Sequence, residues 1–172
     1  FGIEVAYIDE HLPPVYVLQN RLLPVGTQVI EVCSPVRENT AGGRYLERRG
    51  GDGGYMVICQ ADDHAPRKAR VEELGIRVVA VRDTETACLM PGWSHAIRGP
   101  WQDFIRTGRV RSIVAAEIQS PEPEKLAARW SEIIQDPVTS DAAGNPTIKL
   151  QNASLRFVAA TDGRPEGLGG ID

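Results

Sequence analysis

Glu31, Gln60, Glu117 and Arg156 are polar side chains set within or at the end of apolar, strand-like stretches: Ile30-Glu31-Val32, YMVICQ, the segment Val110–Gln119 and Leu155-Arg156-Phe157. Successive strand residues point to opposite faces, so Glu31 and Arg156 would stand opposite their apolar neighbours. If such faces lined one space, carboxylate, amide and guanidinium groups would orient a polar small molecule in an otherwise apolar pocket. Met56 shares the parity of Gln60, and Ile113 that of Glu117. Met56 and His95, the latter between Trp93 and Trp101, complete the candidate ligand-binding residues.

Other chemistries find less support. His11, His64 and His95 have no partner at the i+2 or i+4 spacing of metal pairs on a shared element. Ser94-His95 is a bare dipeptide, and no GxSxG elbow exists for a hydrolase nucleophile. GGDGG, residues 50–54, lacks the P-loop lysine and precedes a strand-like run rather than a helix, so it reads as a tight turn. Cys33, Cys59 and Cys88 contain no CxxC pair, which argues against a disulfide framework or thiolate zinc site and for a reducing, cytoplasmic compartment. Cys59 lies within an apolar run and reads as inert. Arg106, Arg109 and Arg111 read as a solvated basic loop.

The chain has 172 residues, 42% of them hydrophobic and 24% charged, enough for a core without a covalent or metal staple. Its formal charge of −4 and pI near 5.4 disfavour general binding to a phosphate backbone. No run of 18 apolar residues offers a membrane span. The expected partner is a small molecule, not nucleic acid or membrane, with a homodimer left open. The chain opens on Phe1 rather than Met, which leaves room for earlier residues, a removed targeting segment among them.

The elements that must position these side chains follow from periodicity and breakers. Strands are expected at Gly2–Ile8, Val15–Leu23 and Thr27–Cys33, the last two joined by a turn at Pro24 and Gly26. A helix is expected over Ala41–Arg49, capped by Asn39 or Thr40 and stopped by the glycines after it. Tyr55–Ala61 alternates so little that it reads as a strand buried on both faces. A helix follows over His64–Leu74, then a strand over Ile76–Val81. Beyond the poorly patterned stretch 82–99, a short helix is expected from Trp101 to Thr107. A strand over Val110–Gln119 and a helix over Glu122–Ile134 come next, the helix with an apolar stripe of Leu126, Trp130, Ile133 and Ile134. Thr147–Gln151 and Ser154–Ala159 read as a hairpin, and 163–170 as a glycine-rich tail.

Tyr55–Val79 and Arg111–Val138 share one order, strand, helix, strand, at an offset that sets Gln60 against Glu117, and so read as a repeat. The repeat unit is a βαβββ module. The resulting fold class is α+β, with repeated βαβββ modules and mixed, mainly antiparallel sheets curled around a cavity. Residues 1–98 would hold a first module pair lacking its opening strand and helix, and residues 108–172 a further module.

VGTQVIEVCSP, RYLERRGGDGGYMVICQADD and ARVEELGIRVV, within Val25–Val81, together resemble the vicinal oxygen chelate superfamily of glyoxalases, bleomycin-resistance proteins and extradiol dioxygenases, and are most similar to its glyoxalase-like branch. The resemblance implies a cup-like cavity where four ligands hold a divalent metal, the cofactor of a lyase, isomerase or dioxygenase. Glu31 matches one ligand position. Where relatives carry histidine, this chain has Met56, a weak ligand for such cations. The equivalent of Met56 in the later module is Ile113, and the closing-strand position holds Arg156, whose charge repels a cation. Glu85 is an acid near the fourth position, without a firm alignment. His95 would lie near the cavity mouth. The expectation is a small-molecule pocket with a degraded or absent metal site. Its alternatives are a metal-dependent enzyme of the superfamily or a non-catalytic binding or resistance protein.

Overall fold

The computed structural model describes residues 2–10, 12–78 and 101–172. The expected strand end beyond Val78, Glu85, Cys88 and His95 lie outside the described residues. The described chain forms two units: residues 2–53 with 101–113, and residues 54–78 with 114–172.

The first unit is a hairpin with short helices. Helix α1 (Leu12–Tyr16) carries Pro13 and Pro14 in its first turn, where a missing N–H costs nothing. Val17, at φ 59°, ends it. The expected strand Val15–Leu23 therefore begins later, as β1 (Leu18–Val25), and pairs antiparallel with β2 (Gln28–Pro35).

The expected strand Gly2–Ile8 is reduced to a single bridge, Tyr7 to Leu22. The Asp9 N–H donates to Asn20 Oδ1 at 2.9 Å, so a side chain replaces the next rung. The Gln28 amide similarly donates to Ile113 O at 2.7 Å and accepts from Ile113 N at 2.9 Å. Ile113 thus finds side-chain partners where a strand would supply backbone, and the strand expected from Val110 starts only at Ala115.

Helix α2 (Ala41–Arg49) has the expected bounds. Thr40, not Asn39, is its cap, its Oγ1 accepting from Gly43 N at 2.9 Å. Gly50, at φ 72°, closes the helix in the left-handed region. Trp101 opens a 3-10 helix, Trp101–Phe104, which packs on β1.

The second unit holds one complete βαβββ module. Its elements are β3 (Ala115–Ser120), a helix over Pro123–Ile134, β4 (Val138–Ser140), β5 (Pro146–Lys149) and β6 (Ser154–Ala159). The helix α3 (His64–Glu73) precedes them, so the module's helix is α4. The sheet runs β4-β5-β6-β3-β7, with β7 being Gly167–Ile171; β3 and β6 are parallel and the other pairs antiparallel. This is the expected α+β class with mixed, mainly antiparallel sheets.

Alternation divides the sheet. Ile118, Leu155, Phe157 and Ile148 point to one face and form its core with Ala127 of α4. Leu126, Trp130 and Ile134 of the expected stripe pack against that core. Proline opens α4 at its first position, and Ser120 Oγ accepts from Glu122 N at 3.0 Å just before it. Helix α3, capped by Asp63, docks on α4 through arginines. Arg67 donates to Ile134 O at 2.6 Å and Arg70 to Glu132 O at 2.9 Å, placing cations at carbonyls near the helix C-terminus.

Three expectations in this unit are corrected. Tyr55–Ala61 forms no strand, and Met56 and Ile58 are 59% and 58% exposed rather than buried. Both edges of β3 are taken, by β6 and β7, and only Val57 of this run packs on the core. Residues 76–78 form no ladder either, so the first copy of the 57-residue repeat lacks its strands and the strand–helix–strand repeat is not observed. The glycine-rich tail contains a strand, β7. Its glycines let a neighbour in, since a Cβ on Gly169 would stand 2.8 Å from Gln119 Oε1.

Candidate functional site

The face of the sheet opposite α4 carries the polar residues. Parallel register sets Glu117 of β3 beside Arg156 of β6, and antiparallel register sets Thr147 of β5 on the other side of Arg156. The strands thus hold a guanidinium and a carboxylate on neighbouring rails, and Arg156 Nη2 lies 2.7 Å from Glu117 Oε2. The same nitrogen lies 2.7 Å from Oδ2 of Asp172, the residue after β7. Hydrogen bonding to Glu117 chiefly, with Asp172 assisting, raises the Arg156 pKa against the opposing effect of burial.

Over this face lies a groove of about 360 Å³, lined by Ser140, Asp141, Thr147, Lys149, Arg156 and Asp172 among others. Asp141 is committed to the β4–β5 turn. Its carboxylate accepts from Ala143 N at 2.9 Å, Asn145 N at 2.8 Å and Asn145 Nδ2 at 3.0 Å. Those bonds, the Asn145 side chain first, lower its pKa. What the groove offers a ligand is therefore hydroxyls, a lysine and an arginine already held by two carboxylates.

Of the sequence-derived candidates, the structure brings Glu117 and Arg156 together. Met56 lies elsewhere. It lines a second groove of about 210 Å³, with Tyr55, Ile118, Trp130, Glu166 and Leu168, on the α4 side of the sheet. Gln60 is exposed, on the segment that forms no strand. His95 lies outside the described residues.

Glu31 belongs to the first unit, where register puts it on the same face of the hairpin as Asn20 and Cys33. Its Oε1 accepts from Asn20 Nδ2 at 2.6 Å. Lys149, Thr147 and Asp172 were missed from sequence. The parity of Thr147 and Lys149 in the expected hairpin could have found the first two. Nothing in a tail read as irregular pointed to Asp172.

Glu31 also acts on a thiol, that of Cys33, which is exposed on the same face of the hairpin. Burial first, then the Glu31 charge and hydrogen bond, push Cys33 from its ordinary 9.0 up to about 11. At pH 8 its thiolate fraction falls roughly a hundredfold below that of a thiol at 9.0. Iodoacetamide, followed residue by residue by mass spectrometry, is expected to modify Cys33 correspondingly slowly. Glu31→Gln removes the charge and is expected to speed that modification severalfold at pH 8. An unchanged rate would show that the carboxylate does not act on the thiol.

The metal position that the superfamily implies can be tested against these residues. The central cation on the open face is the guanidinium of Arg156, and its two carboxylate partners are satisfied by it. Among the described residues no three His, Cys, Asp or Glu side chains converge to hold an ion. This donor set does not fit a divalent metal: an arginine offers only donors, and its charge opposes a second cation.

No family profile matches the chain, and no curated protein matches it. Solved structures do. A hypothetical protein from Staphylococcus aureus superposes with a TM-score of 0.64 at 11% identity, covering 98% of this chain and 80% of that one. A mutant 4-hydroxymandelate synthase from Streptomyces coelicolor superposes with a TM-score of 0.63 at 13% identity, covering 99% of this chain and 63% of the synthase. The synthase is a dioxygenase of the vicinal oxygen chelate superfamily. At such identities the likeness concerns the backbone alone, and the βαβββ module with its parallel β3–β6 pair agrees with it. The chain has a vicinal-oxygen-chelate-like fold.

Proposed function

We propose that this is a glyoxalase-like protein of that superfamily which binds a small molecule on the open face of the β3–β7 sheet without a metal ion. The observation that carries the reading is Arg156, held by Glu117 and Asp172 at the floor of the polar groove. The groove volume falls at the small end for ligand pockets, and its mixture of hydroxyls and charges suits a compact polar ligand. Residues 1–98 and 108–172 would correspond to the module pair and the further module of the superfamily. No helix of the described residues is long and apolar enough to cross a membrane.

Two measurements test this. The purified chain, stripped with chelator, exposed to zinc, nickel, iron(II) or manganese and dialysed, is expected to retain far less than one metal per chain by elemental analysis. Stoichiometric retention would overturn the metal-free reading. A fragment library screened by ligand-observed NMR is expected to give binders that Ala142→Trp, at the groove wall, displaces. Binders unaffected by that substitution would move the site elsewhere.

A further inference from the structure

The two carboxylates on Arg156 are held differently. Glu117 comes from the sheet interior, where parallel register fixes its backbone beside Arg156. Asp172 follows the edge strand, and its side chain is 47% exposed against 33% for Glu117. Its backbone is anchored independently: Asp172 N donates to Ala115 O at 2.9 Å, and its carbonyl accepts from Val114 N at 2.7 Å. A rotation about its side-chain bonds would release the carboxylate to solvent without opening the sheet.

Lys149 lines the same groove from β5, on the face that Arg156 shares, and has no ion-pair partner among the described residues. The groove therefore has one arginine whose outer carboxylate is replaceable and one uncommitted ammonium beside it.

Resting on the reading of this groove as the binding site, we propose that it takes a small carboxylate-bearing ligand whose carboxylate replaces the Asp172 side chain on Arg156 and is flanked by Lys149. Asp172 then acts as an internal stand-in for the ligand. The exchange is one carboxylate for another: the ligand takes the place of Asp172 on Arg156 and gains Lys149, Asp172 returns to water, and Asp141, which also feels the Arg156 charge, stays hydrogen-bonded in its turn. A bidentate carboxylate suits the planar guanidinium fork.

The test uses benzoate as the probe and benzamide as its neutral counterpart, titrated into the full chain and followed by amide chemical shifts. Benzoate is expected to shift groove residues and to bind more tightly than benzamide. An exposed ion pair is worth up to about 1 kcal/mol, so Asp172→Asn, which removes the competing carboxylate, is expected to tighten benzoate by about twofold to fivefold. Arg156→Met is expected to abolish the preference for benzoate. Arg156→Lys, which keeps the charge, is expected to retain part of it and guards against a folding defect.

Unchanged or weaker benzoate binding by Asp172→Asn would overturn the stand-in role. Equal binding of benzamide and benzoate at the groove would overturn the carboxylate class while leaving the groove as the binding site. Failure of both probes to shift groove residues would count against the inference and the site together.

Discussion

Phe157→Ala is expected to destabilise the second unit by about 3–5 kcal/mol, the range for removing a fully buried aromatic ring. Phe157 is 0% exposed and sits in the core with Ile118, Ala127, Ile148 and Leu155. Trp130 of α4 meets its ring edge-on, with centroids 6.0 Å apart, a geometry worth about a further 0.5–1.5 kcal/mol. The loss therefore combines transfer of the ring, the cavity left behind and the contact that ties the helix to the sheet. For a chain of this length the melting temperature should fall by roughly 6–20 °C. Trp130→Ala should cost less, because the indole is only half-buried. A change below about 1 kcal/mol for Phe157→Ala in urea unfolding, where well-packed aromatic sites lose several, would refute this core.

Gly54→Ala is expected to cost about 1–3 kcal/mol, by crowding rather than by loss. A Cβ at residue 54 would collide with Leu168 Cγ and stand 2.6 Å from both Leu168 Cβ and its carbonyl oxygen. The backbone oxygen belongs to β7, which pairs with β3, so relief requires moving the edge strand. Gly170→Ala is the control. It lies on the same strand with open space where its Cβ would go, and should change stability by less than about 0.5 kcal/mol. Equal urea midpoints for the two variants would contradict the close approach of residue 54 to β7.

These two positions fall in parts of the chain that local sequence specifies to different degrees. Helix α2 was legible in its bounds because its signals are local: a capping residue at 39 or 40, the helix formers of Arg44–Arg49 and a glycine stop. The presence of α4 and of the β5–β6 hairpin was legible from their hydrophobic periods and short loop, although α4 starts at Pro123 rather than Glu122 and β5 runs over Pro146–Lys149 rather than Thr147–Gln151. The pairing of Glu117 with Arg156 was half-legible, since parity set each side chain on a face before any partner strand was known.

What sequence alone could not supply was partnership. YMVICQ has the composition of a buried strand, but a strand needs a neighbour, and this run enters no strand ladder of the described sheets. The residues of β7, GLGGI, carry almost no strand propensity of their own and are held by pairing with β3. Met56 and Arg156, which sequence placed in one pocket, line grooves on opposite faces of one sheet. Asp172 reaches Arg156 only because β7 brings the residue after it beside Ala115. Cap, turn and period are properties of a few adjacent residues and were determined by the sequence itself. Edge occupancy, the choice of face for each groove and the counter-ions of Arg156 depend on residues dozens of positions apart, and only the tertiary structure decided them.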